Sequence, residues 1–290
     1  MSDNERTVGV IGLGLVGSAL AERFLAAGYA VVGFDVDPAR CDELGGRGGT
    51  AAASAASVAG AARRIVLSLP DSTVVHQVIE SLRSVVGPGT IVIDTTTGDP
   101  DPTAALGAAL AREGIAYIDA TIAGSSAQVR SGSVLVIVGG EPGAIAACGD
   151  LFATFATQAF PVGPWGSGAR MKLIVNLVLG LNRAVLAEGL ALARACGLDP
   201  SAALEILRAG PAYSRVMDTK GPKMLSGDFT PQARLAQHLK DVHLILNLGE
   251  GSHARLPFSA LHRDLLERLA ASGYRDADNS AIIRAFSEEP

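Results

Sequence analysis

Residues 8–17 read VGVIGLGLVG, an apolar run that passes into glycines at positions 12, 14 and 17 and then into a segment of helical period. Few backbones accept that order. Gly12 permits a tight turn, Gly14 leaves the backbone bare for close approach, and Gly17 lets a helix lie hard against the strand. Glycine is abundant here, 34 of 290 residues, so the spacing alone is weak; the strand before it and the helix after it give it meaning. The alternation continues. Apolar runs at Ala30–Phe34, Arg64–Leu69, Thr90–Asp94 and Ala116–Asp119 interleave with amphipathic segments at Leu15–Ala27, Pro38–Leu44, Ser54–Ala61, Ser72–Val86 and Pro102–Arg112. Near-continuous apolar strands separated by helices predict a parallel sheet covered on both faces. Val134–Val138 and Gln158–Pro161 extend that sheet in a direction the sequence leaves open.

The pattern changes at GPWGSG, residues 163–168. A long helix follows, from about Ala169 to Ala195, ended by Gly197 and followed by Asp199-Pro200. From there to Ser287 only helices and loops are evident. The expected fold class is α/β: an N-terminal doubly wound (Rossmann) parallel sheet domain, residues 1–163, then an all-α domain, residues 164–290, joined by the long helix.

Composition narrows the function classes. Apolar residues make up 48% and charged residues 18%, which supplies substantial cores and excludes disorder. A net charge of −5 without a dense Lys/Arg cluster argues against nucleic acid, and 4% aromatics leave little for base stacking. Cys41, Cys148 and Cys196 are scattered and odd in number, neither a disulfide framework nor a zinc spacing. The acidic N-terminal residues lack the basic start of a leader, and Asn182, Arg183 and Glu188 interrupt the apolar stretch Leu173–Leu181 as a membrane span. A cytoplasmic protein with no metal and no membrane partner is expected.

Glycines of this kind, with the amides of a helix N-terminus beside them, hold the pyrophosphate of a dinucleotide. The second strand ends at Asp35, 18 residues beyond Gly17, where a carboxylate can take the adenosine ribose hydroxyls and repel a 2′-phosphate. Asp37 suits capping of the helix at Pro38, which leaves Asp35 for the ribose. Arg40 is not an obvious phosphate clamp, so NAD is expected over NADP. Ligands of such sheets bind beyond the carboxyl ends of the strands, where Leu69-Pro70 and Asp94-Thr95-Thr96-Thr97 lie. The threonines could touch cofactor or equally cap the helix before Pro102.

Lys172 and Asn176 stand four residues apart and share one face of the long helix, with Leu179 and Arg183 continuing the stripe. A lysine and an amide in so apolar a stretch are costly to bury without partners or work. Desolvation favours the neutral amine, which can exchange a proton with a substrate hydroxyl. The competing reading is a lysine that snorkels to water at a helix start. His238, His243, His253 and His262 show no ligand spacing and read as core or surface residues.

Taken with their order, these motifs resemble the β-hydroxyacid dehydrogenase family. The resemblance covers about residues 7–286 and rests on GLGLVG at 12–17, LP at 69–70, DTTT at 94–97, DATIAGS at 119–125, GxGxxxKxxxN at 166–176, KD at 240–241 and DxDxSA at 276–281. It implies Lys172 as the catalytic lysine and Asn176 as the substrate-positioning asparagine. It also implies cofactor contacts at Gly12, Leu13, Gly14, Leu15, Val16, Gly17, Asp35, Leu69, Pro70, Thr97 and Lys240. Ala123, Gly124 and Ser125 match the substrate-carboxylate loop, with Lys240 closing the site. Departures are Ala123 for the family's serine, Ser125 for its second glycine, Val16 for methionine, Val175 for a first asparagine, and Gln232-Ala233 after Pro231 where the family has Gly-Phe.

The expected activity is NAD-dependent interconversion of a small 3-hydroxy acid and its semialdehyde, with substrate between the domains near Lys172 and its carboxylate on the amides of Gly124 and Ser125. The alternatives are an imine reductase-like enzyme, which the retained Lys172 and Asn176 oppose, and a non-catalytic NAD-binding redox sensor or scaffold. The surplus of apolar helix surface predicts a homodimer or homotetramer.

Overall fold

A computed structural model describes residues 6–286; the first five and last four residues of the expected domains lie outside them. Eight strands form one sheet. In chain order they are β1 (Thr7–Ile11), β2 (Ala30–Phe34), β3 (Thr50–Ala51), β4 (Arg64–Leu67), β5 (Ile91–Asp94), β6 (Ala116–Ala123), β7 (Val134–Gly140) and β8 (Ala156–Gly163). Across the sheet the order is β3-β2-β1-β4-β5-β6-β7-β8. All neighbours are parallel except β6 and β7, so the last two strands run against the rest.

The crossovers are α1 (Leu15–Ala26), α2 (Pro38–Gly46), α3 (Ala55–Ala61), α4 (Ser72–Leu82), α5 (Pro100–Arg112), α6 (Ser126–Arg130), α7 (Pro142–Ala146) and α8 (Gly149–Phe155). Two of them begin with the same device, an aspartate cap before a proline. Asp37 accepts from the Ala39 amide at 3.1 Å and Asp99 from the Asp101 amide at 3.2 Å. Asp99 thus starts α5 two residues ahead of the expected Pro102, and the threonines before it are not its cap.

Strand alternation separates two apolar layers. Val8, Val10, Val66, Ile118, Ala120 and Ile122 face the core that holds Phe24, Phe152 and Phe155. Ile11, Ile65, Leu67 and Tyr117 face the opposite core with Val75, Ile79 and Leu110. Where β5 stops at Asp94, β6 runs on to Ala123, four residues past the expected end, because β7 pairs antiparallel with residues 118–123.

The long helix α9 spans Ser167–Ala195. The chain divides between Lys172 and Leu173, inside α9 and beyond the expected residue 163, because the first turn of α9 is bonded to β6. The second unit continues with α10 (Pro200–Ala209), α11 (Val216–Ser226), α12 (Leu235–Gly251) and α13 (Pro257–Leu269), closed by a 3₁₀ segment at Asn279–Phe286. Leu186, Leu190, Leu204, Val242, Leu266 and Ile282 fill its core. A hub lies among them: Asp278, wholly buried, accepts both oxygens' bonds from Lys220 Nζ at 2.9 Å and further bonds from the amides of Gln232, Ala233 and Ser280.

Candidate active site

At the carboxyl edge of β1 the three glycines do three different jobs. Gly12 sits at φ +91°, and an added Cβ would lie 2.3 Å from the Ser68 carbonyl oxygen. An added Cβ on Gly17 would fall 1.9 Å from the Gly12 carbonyl oxygen, so helix and turn touch only because Gly17 lacks a side chain. Gly14 is the opposite case: its nearest neighbour would be Arg40 Nη1 at 3.8 Å, which leaves the backbone open. Gly14 is also the N-cap of α1 and offers no side chain to the first amides. Leu13 is buried, Leu15 is exposed and Val16 packs on the core. An open glycine before uncapped amides fits a dinucleotide pyrophosphate.

Asp35 lies at 8% exposure beside this turn. Its Oδ2 accepts from the Leu13 amide at 2.7 Å and its Oδ1 from the Asp37 amide at 2.9 Å. Arg40 Nη1 stands 3.2 Å from Oδ2. Arg40 thus pairs with Asp35, and the Asp35 carboxylate braces the glycine turn through the Leu13 amide.

At the ends of β4 and β5 the threonines divide their labour. Thr95 Oγ1 donates to the Leu67 carbonyl at 2.7 Å, and Thr96 Oγ1 accepts from the Leu69 amide at 3.2 Å. Both are buried struts, while Thr97 is half-buried and Pro70 exposed on the same edge.

The stretch Ala123–Ser125 turns β6 into α6. An added Cβ on Gly124 would meet Val134 Cγ1 at 2.5 Å. Ser125 is the N-cap of α6 in a full capping box: its amide donates to Gln128 Oε1 at 2.9 Å and its Oγ accepts from the Gln128 amide at 3.3 Å. The Ser125 amide, expected to hold a carboxylate, is instead engaged at the helix start, and so is its hydroxyl. The S-x-x-Q spacing at 125–128 carried that signal.

On α9, Lys172 and Asn176 are both buried, at 8% and 7% exposure, which excludes a lysine spread into water. Asn176 Nδ2 donates to Asp241 Oδ2 at 2.9 Å, and Lys240 Nζ lies 3.6 Å from Asp241 Oδ1. In the helical unit, α12 thus brings the KD pair to the asparagine of α9. Further along the stripe Arg183 is buried at 3%, and its own desolvation brings it down to about 10 against the lift of Asp278 and Asp241.

Residues 7–163 match the family described as the NAD binding domain of 6-phosphogluconate dehydrogenase, and residues 166–286 match that described as the NAD-binding of NADP-dependent 3-hydroxyisobutyrate dehydrogenase. The chain belongs to the β-hydroxyacid dehydrogenase family. Among its relatives, 2-(hydroxymethyl)glutarate dehydrogenase of Eubacterium barkeri is 30% identical, over 97% of this chain and 95% of that one. L-Threonate dehydrogenase of Cupriavidus necator is 29% identical, over 97% and 96%. A solved 3-hydroxyisobutyrate dehydrogenase from Salmonella typhimurium superposes with a TM-score of 0.88 at 25% identity, covering 96% of this chain and 99% of that one. An imine reductase from Pseudomonas sp. is more distant, with a TM-score of 0.65 at 20% identity.

This β-hydroxyacid dehydrogenase is an oxidoreductase with a nicotinamide-dinucleotide-binding domain, as the glycine spacing between a strand and a helix led us to expect. Three features escaped the sequence reading. The capping box at Ser125 was legible but passed over. Asp241 stood in a quoted motif with no role, because only tertiary structure shows that it faces Asn176. Asp119 likewise stood in DATIAGS unassigned, and its partner is 50 residues away.

Proposed function

We propose that this dehydrogenase interconverts a small 3-hydroxy acid and its semialdehyde, using NAD, with Lys172 as general acid and base. The observation that carries the reading is a buried lysine one helical turn from a buried asparagine, on the helix that begins at the sheet's ligand-binding edge. Bound nicotinamide supplies the hydride acceptor or donor. Lys172 Nζ takes the substrate hydroxyl proton during oxidation and returns it to the carbonyl oxygen during reduction. Asp241, by accepting from Asn176 Nδ2, fixes the amide plane and leaves Asn176 Oδ1 as an acceptor toward the substrate hydroxyl or the lysine. Lys240 supplies the cation for the substrate carboxylate. With Ala123 in place of the family's serine and Ser125 engaged on α6, the Gly124 amide is what that loop keeps for the carboxylate.

NAD is preferred because Asp35 puts a carboxylate where the 2′-phosphate of NADP would come, and Arg40 offsets part of that repulsion. The chain acts in the cytoplasm as a homodimer. Met171, Ile174, Val178, Val185 and Leu192 leave an exposed apolar stripe along α9 at coiled-coil spacing, which suits a second copy of the same helix. A sedimentation mass of one chain would remove the dimer.

The decisive experiment is a turnover screen with NAD and NADP over 3-hydroxyisobutyrate, glycerate, serine, 3-hydroxypropionate and the corresponding semialdehydes. We expect at least one hydroxy acid to be oxidised, with kcat/KM higher for NAD. Lys172→Met should lower kcat by about 10²–10⁴-fold, the usual worth of a positioned acid–base group, and leave NADH binding unchanged. A Lys172→Met enzyme of normal turnover would end the mechanism.

A further inference from the structure

Three alternate residues of β6 meet the opening of α9 in register. Tyr117 accepts at its carbonyl from Trp165 Nε1 at 2.9 Å, Asp119 Oδ2 accepts from the Ala169 amide at 2.9 Å, and Thr121 Oγ1 donates to the Gly168 carbonyl at 3.2 Å. The Asp119 and Thr121 side chains share one face of the strand, and the Tyr117 carbonyl adds a main-chain bond beside them in the same seam. Glycines allow the approach. An added Cβ on Gly168 would lie 2.7 Å from the Asp119 carbonyl oxygen, and one on Gly139 would lie 2.2 Å from Asp119 Oδ1. The carboxylate is gripped between β7 and the helix.

Lys172 lies three residues beyond Ala169, one turn up the same helix. Four residues beyond Asp119 on the same strand lies Ala123, where the expected carboxylate loop begins. Asp119 therefore joins the two segments whose separation a hydroxy acid must span. We propose that Asp119 is a positioning residue for Lys172: by holding the first turn of α9 to β6 it fixes the lysine's height relative to the sheet edge and the Ala123–Ser125 loop. This rests on the reading of Lys172 as the proton-transfer group. It goes beyond that reading by naming the group that places it.

The carboxylate is an unusual choice for a clamp. Burial raises Asp119 to about 6, against the pull of the Ala169 and Gly168 amides and with added repulsion from Asp94. The groups that act on it are few. β5 brings Asp94, whose Oδ2 accepts from the Tyr117 hydroxyl at 2.7 Å; β7 brings Gly139; α9 brings the amides of Gly168 and Ala169, while Arg170 is paired with Asp101. A charged acceptor holds an amide more firmly than a neutral one. Ionisation of Asp119 near neutral pH thus tightens the hold on α9, and protonation slackens it.

Asp119→Asn and Asp119→Leu test the assignment, both measured in the reductive direction, where protonated Lys172 governs the alkaline side. For Asp119→Asn we expect kcat to fall about 10-fold with substrate KM and NADH affinity nearly unchanged, and for Asp119→Leu a further loss; misplacement of an acid–base group by a fraction of an ångström is enough for such losses. The wild-type acid limb near pH 6 should vanish in Asp119→Asn. The second readout needs no substrate: after ¹³C reductive methylation, the Lys172 dimethylamino resonance, assigned with Lys172→Arg, should shift in Asp119→Asn. If the wild type oxidises no hydroxy acid, the proposed function fails, and the resonance alone still decides the positioning role. A folded Asp119→Asn with wild-type kcat, acid limb and Lys172 resonance would overturn it, as would a variant that only lowers the unfolding temperature.

Discussion

Asp119 in the sheet unit and Asp278 in the helical unit are hidden from water alike, at 2% and 0% exposure, and their surroundings are opposite. Asp278 is fully countered. Burial alone would lift it, yet the Lys220 ammonium and the amides of Gln232 and Ser280 outweigh that and hold it at about 2. Against Asp119 stand only backbone amides and the like charge of Asp94 among the groups that shift it, and burial carries it up to about 6. A buried carboxylate ringed by donors and a lysine ties distant chain together and is stabilising only while complete. One left with amides alone stays near its titration point, where its charge can matter to a neighbour. The contrast separates a residue kept for the fold from a residue kept for the site.

The largest effect is expected at the hub. Asp278→Ala strands the Lys220 ammonium and frees the Gln232 and Ala233 amides that lead into α12, and should cost about 3–5 kcal/mol of unfolding free energy. Urea unfolding at pH 7.5 measures it. A loss below about 1 kcal/mol would mean the pair is no more than a surface-type bridge and would erase the contrast from one side.

The two carboxylates should also answer pH with opposite sign. A folded value below the ordinary one means that Asp278 gives its stabilisation above about pH 4 and loses it as pH falls toward 2. A folded value above the ordinary one means that Asp119 favours the folded state most below about pH 4, and that this advantage is withdrawn as pH rises through 6. At roughly 1.4 kcal/mol per unit, each swing is on the order of 2–3 kcal/mol. His262 titrates in part of the same window: burial, then Arg183, lowers it to about 4, so its protonation on acidification works against the fold. The clean comparison is therefore wild type minus Asp119→Asn. The variant should be the more stable at pH 8, and the difference should close by pH 4. A difference that stays flat would show that Asp119 carries no such penalty.

How far these roles could be read from residues alone follows from the range of the interactions. The strand–glycine–helix order, the alternation of runs and the apolar long helix are local, and local pattern gave the doubly wound sheet, the helical second unit and the Lys172–Asn176 face. The reversed direction of β7 and β8 was not legible, since alternation looks the same both ways along a strand. The extension of β6 to Ala123 depends on β7, which pairs where β5 has ended. Asp119 with Ala169, Asn176 with Asp241 and Lys220 with Asp278 join residues 50, 65 and 58 apart, and no spacing rule reaches that far. The pairing of Arg40 with Asp35, made by the long side chain from the first turn of α2, was likewise not legible.

The smallest predicted effect sharpens the comparison most. Thr121 is a neutral side chain of the seam, wholly buried, its hydroxyl shared between the Gly168 carbonyl at 3.2 Å and the Ile137 carbonyl at 3.4 Å. Thr121→Val keeps the shape and removes one weak donor, so it should cost about 1 kcal/mol in unfolding free energy. Turnover should fall by no more than a few-fold, with the acid limb left in place, because Asp119 still holds Ala169. Equal damage to kcat from Thr121→Val and Asp119→Asn would make the whole seam the positioning element. The charge on Asp119 would then be incidental, and the difference between the two buried carboxylates would say nothing about function.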